Sequence, residues 1–160
     1  MEQISIFDVM YEKKKINHPY LIELFAGYGS QSLAMKYIVG ANGFEHHKIC
    51  EWAIQSIIAY ADVHRNELKN YGIDYSKDLT KEQIANELHK MGVSADYNKP
   101  ASLSQLARIS EDKLRLTYNS IFWSNNLVDI SRVHGKDLKI ERERVHLNIF
   151  IPMPRFITCR

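Results

Sequence analysis

Cysteine is scarce in this chain of 160 residues: only Cys50 and Cys159 occur. Two cysteines supply neither a disulfide framework nor a zinc-ligand pattern, and they fit a reducing, cytoplasmic compartment. Excess charge of one sign is also lacking. The net charge is +2, from 21 Lys and Arg against 19 Asp and Glu, so the total shows no strong nucleic-acid footprint. No apolar run is long enough to span a membrane, and the first ten residues carry acids and no basic n-region. Neither a membrane partner nor a signal peptide is expected. There is no internal repeat and no low-complexity segment. What remains is ordinary: 45% hydrophobic and 25% charged residues, with a length that suits one domain and a real core.

Residues 1–19 read as a lead-in, in which Lys13-Lys14-Lys15 is a solvated run. His18-Pro19 interrupts before a first strand at 20–25. Gly27 and Gly29 then make a turn. Ser30 or Ser32 caps a helix reaching Val39, with Leu33, Ala34, Tyr37 and Ile38 on its apolar face. A second strand at 44–50 ends at Glu51, and a helix at 53–65 buries Ile54, Ile57, Ile58 and Ala61. Strand, helix, strand, helix at this spacing predicts a β-α-β unit on a parallel sheet.

Residues from about 66 to 126 differ in character and read as a helical insertion. Thr80-Lys81-Glu82-Gln83 is a capping-box pattern before Ile84, Leu88 and Met91, with Gly92 as the stop. Asn98-Lys99-Pro100 breaks the chain. Ser110-Glu111-Asp112 opens another helix with Leu114, Tyr118, Ile121 and Phe122 on one face. Residues 127–131 predict a third strand and its end.

Three features fall at the carboxyl ends of these strands, where parallel sheets bind ligands. The turn Phe25-Ala26-Gly27-Tyr28-Gly29-Ser30 lets backbone N–H groups approach a ligand without a Cβ in the way. Glu51, 22 residues after Gly29, is placed to accept from ribose hydroxyls, and Trp52 offers a flat apolar face to an adenine ring. Asp129-Ile130 supplies an acid for the adenine amino group. Each feature alone has a plainer reading. Gly-x-Gly is often only a tight turn, Glu51-Trp52 a surface acid beside a core tryptophan, and Asp129 a cap or loop acid. The combination carries the nucleotide-type pocket. His46, His47, His64 and His134 lack metal-ligand spacing and read as surface or strand-end residues, so no metal site is expected.

Phe-Ala-Gly-x-Gly, then Glu-Trp, then Asp-Ile, in this order, resembles the first three motifs of the cytosine-5 DNA methyltransferases. The likeness is close over 20–64 and looser over 128–137, and Ser30 stands where that family commonly has a second glycine. It implies a Rossmann-like, S-adenosylmethionine-dependent α/β fold over 20–140. It implies S-adenosylmethionine as cofactor, DNA as partner, and methyl transfer to C5 of cytosine, as in DNA methylation and restriction-modification. The family uses a cysteine in a Pro-Cys-Gln motif that adds to C6 of a flipped base, and a later glutamate that contacts N3.

These 160 residues contain no Pro-Cys-Gln. Cys159, in Ile-Thr-Cys-Arg, lacks that context, and no catalytic residue is assigned. Residues 145–160 form an atypical tail. Ile151-Pro152-Met153-Pro154 can be encoded by ATT CCC ATG CCA, which one base later begins Phe-Pro-Cys; Met followed by Pro always yields TGC in that frame. The expectation is a frameshift near Arg144 and a truncated chain inactive alone, with a complementing C-terminal chain as a further partner. Two other classes stand beside it: a non-catalytic S-adenosylmethionine-binding remnant or half of a split enzyme, and a dinucleotide-binding oxidoreductase domain.

Overall fold

A computed structural model describes residues 20–40 and 42–138. The lead-in, the atypical tail and Cys159 lie outside them. Strand β1 (Tyr20–Leu24) pairs in parallel with β2 (Glu45–Cys50). The register sets Tyr20 against Glu45 and Leu24 against Cys50, with one irregularity between Leu21 and Ile22. Helix α1 (Ser30–Val39) connects them, and α2 (Ile54–Val63) follows β2. This is mixed α/β with a short parallel sheet, compatible with part of a Rossmann-like fold.

The capping box before α3 (Lys81–Met91) forms as expected: Thr80 Oγ1 accepts from Gln83 N–H, and Gln83 Oε1 accepts from Thr80 N–H. Gly92 closes the helix in the left-handed region at φ 84°, a conformation glycine adopts without a Cβ penalty. A short helix, α4 (Leu103–Ala107), was not expected; its signal is a second capping box, Ser102 with Gln105. Helix α5 (Glu111–Trp123) starts after Ser110. The largest apolar cluster lies where α2 meets α3, α4 and α5. Ile54, Ile57, Ile84, Leu88, Leu106 and Leu114 are all at most 1% exposed there.

Three expectations are corrected. The first concerns α1, whose inward residues are Ser32 and Met35, while Tyr37 is 92% and Ile38 63% exposed. Buried Glu23 in β1 accepts both the N–H and the hydroxyl of Ser32, and that anchor turns the Ser32–Met35 face inward against the apolar stripe. The second concerns its cap. Neither serine caps α1; Gly29 is the N-cap at φ 87°, and the Glu23 carboxylate satisfies one of the helix's unpaired N–H groups.

The third concerns residues 127–131. They make no strand beyond a single parallel bridge of Asn126 with Ile49, where Leu127 N–H donates to Ile49 C=O at 2.8 Å. Asn125 at φ 51° and Val128 at φ 61° break the extended run. The Asn126 side chain takes the place of ladder bonds. Its Oδ1 accepts from Glu51 N–H at 3.0 Å and its Nδ2 donates to Glu51 C=O at 2.9 Å. No helix among the described residues is long and apolar enough to cross a membrane.

Candidate functional site

At the end of β1 the backbone enters the left-handed region three times, at Phe25 (φ 57°), Gly27 (φ 56°) and Gly29 (φ 87°). The turn is tied to β2: Ala26 N–H donates to Cys50 C=O at 3.2 Å, and Gly29 N–H closes back on Ala26 C=O at 2.8 Å. Gly27 N–H donates to Glu51 Oε2 at 3.0 Å, and Ala53 N–H to Glu51 Oε1 at 2.8 Å. Glu51 is 8% exposed, so one buried carboxylate holds both the glycine turn and the start of α2. A Cβ on Gly27 would meet no atom within 4 Å, whereas one on Gly29 would sit 2.0 Å from His64 Nε2. The turn is therefore open on one side and packed on the other. Phe25 and Tyr28 stand half-exposed beside it, at 50% and 59%.

The remaining expected residues lie nearby with different attachments. Trp52 packs partly buried against the main core, and its C=O accepts from Ser94 N–H at 2.8 Å. Asn126 Oδ1, which accepts from Glu51 N–H, also accepts at 2.8 Å from the N–H of Val128, the residue before Asp129. The Asp129 carboxylate serves its own turn. Oδ1 accepts from the Ser131 N–H and hydroxyl, and Oδ2 pairs with Arg132 Nε at 3.0 Å. The Ser131 hydroxyl holds the Asp129 carboxyl below its ordinary range. Asp129 is thus the N-cap of a 3-10 turn, Ile130–Arg132, and Ile130 is exposed. The structure joins the turn directly to Glu51, while the Asp129 carboxylate is engaged by Ser131 and Arg132.

Sequence reasoning missed a polar cluster beneath the turn. Glu23 is 1% exposed and accepts from Tyr60 Oη at 2.6 Å as well as from Ser32. Tyr60 Oη in turn lies 3.0 Å from His46 Nδ1. His64 Nε2 lies 3.1 Å from Tyr28 C=O. Its ring is 0% exposed, which corrects its reading as a surface residue. The signal was an acid inside an apolar strand, Tyr-Leu-Ile-Glu-Leu, since an unpaired glutamate is almost never fully buried. Burial and the nearby Glu23 push the Tyr60 phenol well above its ordinary value, so it stays protonated and donates to Glu23.

Burial, helped by His64, pushes His46 from 6.5 down to about 4. The folded chain therefore refuses a proton that the unfolded chain takes up across this window, so stability rises with pH between the two values. With a chelator present, the His46 contribution is expected to be whole above pH 6.5 and lost toward pH 4, a difference of about 3 kcal/mol. Urea midpoints measured across that window check this. His46→Gln should remove this part of the slope and leave the rest.

Cys50 is 1% exposed, and its Sγ donates to Val128 C=O at 3.4 Å. Burial, with Glu51 and Asp129 adding to it, pushes the thiol up to about 12, which makes it inert as a nucleophile.

Fold and site together define a mixed α/β chain whose short parallel sheet ends in a glycine turn clasped by a buried acid. The chain is similar to the orphan methyltransferase M.SssI of Spiroplasma monobiae (strain ATCC 33825 / MQ-1), with 28% identity over 122 residues. The match covers 74% of this chain and 31% of that protein, so this chain spans about a third of its relative's length. The similarity supports a relationship to methyltransferases. No family model matches the chain, and no solved structure matches it significantly.

Proposed function

We propose that residues 20–138 carry the S-adenosylmethionine-binding part of a methyltransferase acting on C5 of cytosine in DNA. The observation that carries this reading is the bond from Gly27 N–H to Glu51 Oε2. It couples the glycine turn to an acid at the carboxyl ends of two adjacent parallel strands, the edge where such sheets take nucleotide ligands. Similarity to a methyltransferase over most of the chain supports it.

The residues fit the cofactor. The open side of Gly27 admits close backbone approach. Each Glu51 oxygen accepts one backbone N–H and keeps lone-pair capacity for a ribose hydroxyl. When bound, S-adenosylmethionine supplies an electrophilic methyl group. Glu51 orients the ribose, Trp52 flanks the adenine, and the 25–30 turn lines the methionine end. Asp129 and Ile130 border the adenine side, Asp129 accepting through the lone pairs its own turn leaves free.

Activation of cytosine needs a thiolate, and Cys50 cannot supply one. The nucleophile then belongs to a Pro-Cys-Gln segment outside residues 20–138. The 160-residue chain alone is expected to show no methyl transfer to DNA. Gene sequence beyond the Lys139 codon that cannot encode Pro-Cys-Gln in any frame would overturn this part.

A thermal-shift comparison of S-adenosylmethionine with NADH tests the cofactor itself. At a hundredfold excess over its dissociation constant, S-adenosylmethionine should stabilise the chain by about 2.7 kcal/mol, with no response to NADH. A response to NADH alone would favour a dinucleotide-binding domain, and a response to neither would reject both.

A further inference from the structure

Three buried side-chain atoms below the glycine turn have no hydrogen-bond partner: His46 Nε2, His64 Nδ1 and Glu67 Oε2. One ligand atom from each of these three residues lies within 4.8 Å of those of the other two. Buried polar atoms without partners are rare and call for an ion or a water. His64 and Glu67 are brought together by the turn that ends α2, where Glu67 N–H donates to His64 C=O at 2.9 Å, and His46 reaches them from the distant strand β2.

The hydrogen bonds around the two rings fix which nitrogen is bare. Tyr60 Oη donates to Glu23, so it accepts from His46 Nδ1–H, and Nε2 is left with a lone pair. His64 Nε2 lies 3.1 Å from the Tyr28 carbonyl, which can only accept, so Nε2 carries the proton and Nδ1 the lone pair. Glu67 Oε2 is a third acceptor, because Lys36 Nζ binds the other oxygen at 3.0 Å. Three acceptors thus face one another with no donor between them. A single water has two protons and can satisfy only two of them. A cation satisfies all three.

We propose that His46, His64 and Glu67 bind one divalent transition-metal ion of the zinc class. Two imidazole nitrogens and one carboxylate oxygen select such an ion over magnesium or calcium, which prefer all-oxygen shells. His64 Nδ1 and Glu67 Oε2 are 3.6 Å apart, close to the spacing of about 3.3 Å between neighbouring ligands of a tetrahedral zinc. Both histidines hold their other N–H on an oxygen, the arrangement that orients metal-binding imidazoles: His64 on a carbonyl, His46 on a tyrosine that leads to a carboxylate. His46 and Glu67 also line an open cavity of about 600 Å³, with Phe44, Leu68 and Trp123, which gives an entry path and room for a fourth, water ligand. Lys36 holds Glu67 to one oxygen. The ion's role is positional, because His64 touches both the Tyr28 carbonyl and the space beside Gly29. Fixing His64 fixes the closed side of the glycine turn. The inference does not depend on which cofactor the turn takes.

The test is titration of the chelator-treated 160-residue chain with Co²⁺, followed by displacement with Zn²⁺. The expected result is one equivalent bound, a tetrahedral-type Co²⁺ absorption spectrum lost on adding Zn²⁺, and a raised thermal midpoint. Glu67→Gln and His46→Gln should each weaken binding by at least about tenfold, while His134→Gln, at an exposed position, should leave it unchanged. Absence of stoichiometric Co²⁺ binding by the unaltered chain would overturn the proposal, and that result needs no variant to fold. Equal binding by the unaltered chain and the folded Glu67→Gln and His46→Gln variants would overturn it as well.

Discussion

Glu23→Ala is expected to destabilise the chain by about 3–5 kcal/mol, since each buried polar group left unpaired costs about 1–3 kcal/mol. The substitution removes the acceptor for Ser32 N–H, for the Ser32 hydroxyl and for Tyr60 Oη. All three partners are buried: Ser32 and Tyr60 are both 0% exposed. Replacement by alanine also leaves a void between β1 and α2. Urea unfolding checks the size of the effect, with the midpoint expected to fall while the slope stays constant. Glu23→Gln should lose less, because one amide oxygen still accepts. If Glu23→Ala unfolds at the same urea concentration as the parent, the cluster beneath the turn does not hold the sheet to its helices.

Gly29→Ala is expected to be comparably severe, and for a different reason. At φ 87° an alanine is strained by about 1–2 kcal/mol. Its Cβ would also lie 2.0 Å from His64 Nε2, 2.8 Å from His64 Cδ2 and 2.9 Å from Tyr60 Cε2. Both rings are buried and held by hydrogen bonds, His64 Nε2 to Tyr28 C=O and Tyr60 Oη to Glu23, so they cannot swing away freely, and overpacking adds about 1–3 kcal/mol. The total is about 2–5 kcal/mol, read as a lower urea midpoint. Gly27→Ala is the control. It carries similar backbone strain at φ 56° but meets no atom within 4 Å, so it should cost only the strain. Equal losses at the two glycines would contradict the packed-below, open-above description of the turn.

Much of the frame was legible in the sequence, because the first two strands, the glycine turn and the capping box at Thr80 are local signals. The first strand at 20–25, the Thr80 box and the Gly92 stop all read correctly, to within a residue, from a few adjacent residues. Apart from α4, whose local Ser102–Gln105 box went unread, what was not legible depends on distant partners. The face of α1 was misjudged because Glu23, a residue of the previous strand, draws Ser32 inward. The third strand was overcalled because Asn126 pairs with Glu51 through its side-chain amide, and apolar residues beside it mimic a strand. The burial of His64 follows from its fit against Gly29 and Tyr60, which no spacing along the chain announces. Of the candidate site, the link between the 25–30 turn and Glu51 followed from the order of elements. The engagement of Asp129 with Ser131 and Arg132 did not.

On the proposed reading, the glycine turn and Glu51 form one ligand-binding unit for S-adenosylmethionine. Isothermal titration of the 160-residue chain with S-adenosylmethionine, alongside Glu51→Gln, tests it most directly. One site per chain is expected, with affinity for the Glu51→Gln variant reduced by about tenfold or more, the loss of a charge-assisted bond being worth about 1.5–3 kcal/mol. Absence of binding by the folded parent chain, or equal affinity in the folded variant, would contradict it.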